Sequence, residues 1–154
     1  VREEASSRGE KRLVIKDRIA DNMFQQALIN PRDYDLIATS NLNGDYLSDA
    51  LAAQVGGLGL APGANIGDSL ALFEATHGTA PDIAGRDRVN PSSLILSGAM
   101  LLEHIAWDEA AELTVASVEQ AIKTGRVTPD LACAIPQGQE CGCREFGDCV
   151  CKCM

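Results

Sequence analysis

Two carboxylates, Asp45 and Asp49, stand four residues apart in SNLNGDYLSDALAAQ (40–54), a stretch that holds no Lys or Arg. On a helix over 46–55 this spacing puts both on one face, one above the other, while Leu47, Ala50, Leu51, Gln54 and Val55 fall on the opposite side. Like charges so placed repel by a few tenths of a kcal/mol, and the positive N-terminal end of the helix offsets part of that. Paired carboxylate oxygens suit a hard divalent cation. Mg²⁺ commonly takes one or two carboxylates, keeps some waters and completes its shell from a substrate. A plainer role also fits: Asp45 as the N-cap after an Asn43-Gly44 turn, and Asp49 as a solvated acid. Asp17 and Asp21 repeat the spacing, so spacing alone discriminates little and the plainer role leads on pattern.

Two further groups carry chemistry. No cysteine precedes Cys133, and Cys141, Cys143, Cys149, Cys151 and Cys153 crowd CGCREFGDCVCKCM (141–154). Repeated C-x-C suits soft metals, but the C-x₂-C of zinc ribbons is missing, which favours a divergent tail of free thiols. The glycines of GGLGLAPGANIGD (56–68) do not form G-x-G-x-x-G, since Ala61-Pro62 interrupts it and no helix follows directly; GANIGD is not a P-loop. A nucleotide bound here is not bound in the usual Rossmann manner. His77, in HGTAPDIAGRDRVNP (77–91), reads by itself as an ordinary structural histidine.

These residues need elements to position them. LVIK (13–16) is a short apolar run. In 17–30, Ile19, Ala20, Met23, Phe24 and Ala27 form a helical stripe that Asp17 can cap and Asn30-Pro31 stops. DLIATS (35–40) predicts a buried parallel strand, 56–68 a Gly/Pro loop, and SLALFEAT (69–76) another strand. Helices are predicted over 91–105 and 108–123, and after Pro129 the signal fades. Strands alternating with helices imply an α/β fold. Residues 1–12 read as a polar lead-in without structure, 13–130 as the domain and 131–154 as the Cys-rich tail.

The chain of 154 residues is long enough for one core. A net charge of −9 argues against nucleic acid or an anionic membrane surface as partner, because both need clustered positive charge. No apolar run reaches the roughly 18 residues of a membrane span. The opening VREEASSRGEKR lacks the apolar stretch of a signal peptide, which points to the cytoplasm. Opening on Val1 in a polar segment suits a chain whose true beginning lies upstream.

NLNGDYLSDALAAQVGGLGLAPGANIGD, LFEATHGTAPDIAG and VNPSSLILSGAMLLEHIAWDEAA, in that order, closely resemble the bacterial isocitrate dehydrogenases, a metal-dependent, decarboxylating β-hydroxyacid dehydrogenase family. The resemblance covers about 13–127 and extends weakly through EFGD (145–148). Isopropylmalate dehydrogenases share the framework but differ at NLNGDYLSD and EATHGTAP, which favours isocitrate. The resemblance implies a non-Rossmann α/β fold, here incomplete. It implies that Asp45 and Asp49 bind Mg²⁺ or Mn²⁺, with Asp21 supplied by the other subunit of a homodimer. It implies a coenzyme loop of His77, Gly78, Thr79, Ala80, Pro81, Asp82 and Ile83, with His77 near the adenine or its ribose and Asn90 hydrogen-bonded to adenine.

The family's NADP-dependent members carry Lys-Tyr where this chain has Asp82-Ile83, and Tyr and Arg where it has Pro129 and Cys133. Those groups hold the 2′-phosphate. A carboxylate instead accepts hydrogen bonds from ribose hydroxyls, so NAD is expected in preference to NADP. The family's substrate clamp of serine and arginines, with its catalytic tyrosine and lysine, lies upstream of the matched region. No catalytic residue is therefore assigned, and the lone chain is expected to be inactive as the C-terminal portion of the enzyme. The alternatives are a non-catalytic remnant that binds nucleotide or a subunit, an NADP-dependent or isopropylmalate dehydrogenase variant, and a cysteine-tail metal binder.

Overall fold

The computed structural model describes residues 2–5 and 12–154, and divides into two compact units, 1–51 and 52–154. In the first, strands β1 (Arg2–Ala5) and β2 (Arg12–Ile15) pair antiparallel, Arg2 opposite Ile15. Part of the expected unstructured lead-in is therefore strand, and residues 1 and 6–11 lie outside the described residues. Helix α1 (Ala20–Ile29) follows, then a 3₁₀ turn (Pro31–Asp33), then α2 (Asn41–Gln54). Met23 and Ala27 of α1 and Leu47 of α2 form a small core, with Phe24, Tyr34 and Leu51 against it. Ile19 sits at the N-cap of α1 without a side-chain cap, so Asp17 does not cap this helix.

Helix α2 begins five residues earlier than the pattern suggested. The Gly44 N–H donates to the Ser40 carbonyl at 2.9 Å, so the first turn closes on Ser40. Asn43-Gly44 marks a turn only where the backbone needs positive φ; neither residue has it, and the helix runs through them. Asp45 is consequently inside the helix and is not its N-cap. The strand expected at 35–40 does not form, and Leu36 is 82% exposed. A strand is defined by its ladder partner, and no described segment pairs with this one.

In the second unit β3 (Pro62–Ile66) and β4 (Ala71–Ala75) make an antiparallel hairpin, Pro62 opposite Ala75. The expected Gly/Pro loop therefore hides a strand. Helix α3 (Ser92–His104) crosses this hairpin on a face of serines. Ser93 Oγ donates to the Ala61 carbonyl at 2.5 Å, and Ser97 Oγ accepts from the Gly63 N–H at 3.1 Å while lying 2.7 Å from the Glu74 carbonyl. Hydroxyls four residues apart satisfy sheet-end groups that a leucine face would leave unpaired. Helix α4 (Asp108–Lys123) returns against α3. Then come β5 (Arg126–Val127), α5 (Pro129–Ala132), β6 (Gln139–Glu140), which pairs parallel with β5, and α6 (Cys143–Cys153).

The main core joins Val118 and Ala121 of α4, Val127 of β5, Leu131 of α5, and Phe146 and Val150 of α6. Phe146 is fully buried. Phe146→Ala should cost roughly 3–5 kcal/mol, the usual loss for a buried aromatic. A urea titration of the chain checks this, and a cost below about 1 kcal/mol would mean that α6 does not seal the core.

Candidate functional site

Asp45 and Asp49 lie one turn apart on α2, both exposed, and neither enters an ion pair among the described residues. The Asp45 main-chain carbonyl accepts from Ser48 Oγ at 3.1 Å, leaving its carboxylate clear of that bond. Two hard oxygen donors with no countercharge beside them fit a divalent cation, which would supply the missing positive charge. Asp21 stands in the first turn of α1, exposed, its Oδ1 accepting the Asn22 N–H at 2.5 Å. No group of three His, Cys, Asp or Glu side chains able to hold a metal occurs among the described residues, so one chain does not bring Asp21 together with the α2 pair as such a group.

The coenzyme-loop residues follow β4. Thr76 Oγ1 donates to the Ala61 carbonyl at 3.0 Å and ties the loop's start to the connection after α2. The His77 ring lies with Nδ1 3.0 Å from the Gly78 carbonyl, and Gly78, Thr79 and Ala80 are exposed. Ala80 is left-handed at φ 43°, which turns the chain into a 3₁₀ turn at Pro81–Ile83. Asp82 is exposed on that turn, and Ile83 is half-buried behind it.

Asn90 is placed differently from an open ligand-contacting residue. It is 3% exposed. Its Nδ2 donates to Asp130 Oδ2 at 3.0 Å and its Oδ1 accepts the Ser92 N–H at 3.0 Å, starting α3. Gly59 closes over this pair: a Cβ there would lie 2.9 Å from both Asn90 Cβ and Asp130 Oδ2. The side chain expected to meet adenine thus serves first to join the loop's end to α5, the element carrying Pro129 and ending next to Cys133. Sequence reasoning missed Asp130 and Gly59, and the only local hint was a glycine in an already glycine-rich stretch.

Four of the tail's cysteines, Cys143, Cys149, Cys151 and Cys153, lie on the regular helix α6. Cys141 is buried in the main core, and Cys149 and Cys153 pack against it as small apolar groups. Burial raises the Cys141 thiol above its ordinary range, with Glu145 adding to the effect; burial, then Asp87, raises Cys143; burial, then Cys149, raises Cys153. Raised thiols hold less nucleophilic thiolate near neutral pH. Iodoacetamide should therefore label exposed Cys133 and Cys151 first, with Cys141, Cys143 and Cys153 catching up as pH rises. Peptide-resolved mass spectrometry checks the order, and equal rates for Cys141 and Cys151 would contradict it.

The described residues combine helices with short two-stranded sheets, as in a segment of an α/β fold. The family model for isocitrate/isopropylmalate dehydrogenase matches residues 1–150, and the chain belongs to that family. It is 58% identical to isocitrate dehydrogenase (NADP) of Pseudomonas aeruginosa over 138 residues, covering 90% of this chain and 33% of the relative. With the Helicobacter pylori isocitrate dehydrogenase (NADP) it shares 57% over 136 residues, 88% of this chain and 32% of the relative. The crystal structure of isocitrate dehydrogenase from Methylococcus capsulatus superposes with a TM-score of 0.83 at 44% identity, over 89% of this chain and 40% of that one. The chain thus spans about a third of the length of the curated relatives it matches. Its fold is part of the isocitrate/isopropylmalate dehydrogenase type. No helix among the described residues is long and apolar enough to cross a membrane.

Proposed function

We propose that this chain is the metal-ligand and coenzyme-loop region of an isocitrate dehydrogenase that oxidises and decarboxylates isocitrate to 2-oxoglutarate. The observation that carries the reading is the uncompensated pair Asp45 and Asp49 on one face of α2, in a chain more than half identical to isocitrate dehydrogenases. Asp45, Asp49 and a partner subunit's copy of Asp21 would hold Mg²⁺ or Mn²⁺, which supplies Lewis acidity toward the substrate's oxygens. The active form is then a homodimer, and the family's substrate-gripping cations come from the rest of the protein.

The coenzyme reading divides. The Pseudomonas and Helicobacter relatives are named for NADP, and inheritance from them would make this an NADP enzyme. Asp82 argues for NAD: it offers a ribose-accepting carboxylate and a like charge to a 2′-phosphate. We rest the proposal on Asp82, because the groups that hold the phosphate in NADP-type members are replaced here at both Asp82-Ile83 and Pro129/Cys133.

The test is turnover of isocitrate by the complete protein that carries this chain, with Mg²⁺ and each dinucleotide in turn. Activity that chelation abolishes and Mg²⁺ restores supports the reading. Absence of isocitrate turnover with both dinucleotides overturns it. A kcat/KM with NADP equal to or above that with NAD overturns the coenzyme assignment alone. The isolated 154-residue chain should form no NADH from isocitrate.

A further inference from the structure

The coenzyme loop does not end at Ile83. It runs on through Gly85 (φ 72°) to Asp87, a non-glycine residue held left-handed at φ 54°. That conformation is uncommon outside glycine, although Asp is among the residues that tolerate it best. Asp87 is anchored from one direction, by the start of α6. The Asp87 main-chain carbonyl accepts the Cys143 N–H at 2.9 Å, and its Oδ1 accepts the Arg144 N–H at 2.9 Å. Both donors belong to the first turn of α6, whose N–H groups have no partner within the helix. Gly142 lies flat against the same residue: a Cβ there would collide with the Asp87 carboxylate. On its far side α6 is fixed by Phe146 and Val150 in the main core. The loop is therefore referenced to the core at Asp87, whose partner Arg144 is 57 positions away in sequence, in addition to the Asn90–Asp130 bond at the loop's end.

We propose that Asp87 is a positioning residue for the coenzyme: by capping α6 it sets the geometry of the loop 77–90, and dinucleotide binding is thereby coupled to the first turn of α6. This rests on the coenzyme-loop reading above. In this role the side chain acts through the start of α6 and not by contact with the coenzyme. It holds the loop in one conformation before binding, which lowers the ordering cost that binding must otherwise meet.

The test uses the complete protein, NADH or NADPH as probe, and two readouts: the dissociation constant by nucleotide fluorescence, and amide exchange of the α6 first turn. In the wild type, dinucleotide should slow exchange at residues 143–146. Asp87→Gly keeps the positive φ and removes the cap, so it should weaken binding roughly tenfold and abolish the ligand-induced protection. Asp87→Asn retains an oxygen acceptor and tolerates the backbone, so it should restore most of both. Gly142→Ala approaches from the opposite side and should weaken binding while leaving Asp87 intact; it carries the test if an Asp87 variant does not fold. A general loss of stability would not remove the ligand-induced protection selectively. Wild-type binding with unchanged affinity and unchanged α6 protection in Asp87→Gly overturns the inference and leaves the proposed function standing. A wild type that binds neither dinucleotide overturns both.

Discussion

In the complete protein, Asp45→Asn and Asp49→Asn should each lower Mg²⁺-supported isocitrate turnover by at least about 100-fold, because losing a charged ligand to a hard cation forfeits several kcal/mol and each 1.4 kcal/mol is tenfold. The fold should not suffer. Both side chains are exposed on α2, neither holds an ion pair among the described residues, and like charges one turn apart repel. The melting temperature should therefore stay level or rise slightly while activity falls. That opposition separates a metal ligand from the plainer alternative. A solvated acid on the exposed face of the helix, replaced by Asn, loses almost nothing. Titration with Mn²⁺ sharpens the contrast, since a lost ligand raises the metal concentration needed for half-maximal activity. Near-wild-type activity of Asp45→Asn at the same Mg²⁺ concentration would remove Asp45 from the metal site.

What was legible in the sequence followed from how local the signal is. Helices α3 and α4 were read to within a residue at each end, because an apolar period of 3.6 and their stop signals lie inside the segments themselves. The segment 35–40 failed for the opposite reason. Its apolar run describes a strand only if a neighbour supplies the ladder, and none does so among the described residues. Strand β3 was hidden by its own composition: PGANI looks like loop, but Gly63 faces the Glu74 carbonyl, where a Cβ would come within 2.9 Å. Helix α6 was hidden by its cysteines, which drew attention as metal ligands while Phe146 and Val150 set the amphipathic face.

At the candidate site the division is similar. Asp45, Asp49 and the 77–83 loop were visible because their neighbours form long recognisable strings. Asn90 was visible as a residue, but the two bonds that fix it were not, since they run to Ser92 and to Asp130, the latter 40 positions away. Asp87 and Asp130 escaped altogether. Each acts through a hydrogen bond to a residue 40 or more positions away, and an acid among polar residues carries no local mark of that.

Exchanging Asp82-Ile83 for Lys-Tyr should shift the ratio of kcat/KM for NADP over NAD upward by at least about 100-fold. Two changes of similar size combine. Removing a charge-assisted hydrogen bond between Asp82 and a ribose hydroxyl costs NAD roughly 1.5–3 kcal/mol. Replacing a like charge by a cation lets NADP gain a comparable phosphate contact. Asp82 is exposed on the 3₁₀ turn at Pro81–Ile83 and half-buried Ile83 lies outside the main core, so the longer side chains leave that core undisturbed and stability should hold. Exposure also sets a signature in salt. The Asp82–phosphate repulsion acts through solvent, so the wild-type penalty against NADP should shrink as ionic strength rises, and the Lys-bearing variant should lose part of its NADP preference under the same change. If Asp82 is irrelevant to the coenzyme, the swap leaves the NADP/NAD ratio within a fewfold of its starting value and salt moves wild type and variant together. In that case the preference implied by the names of the Pseudomonas and Helicobacter relatives is the one to carry over to this chain.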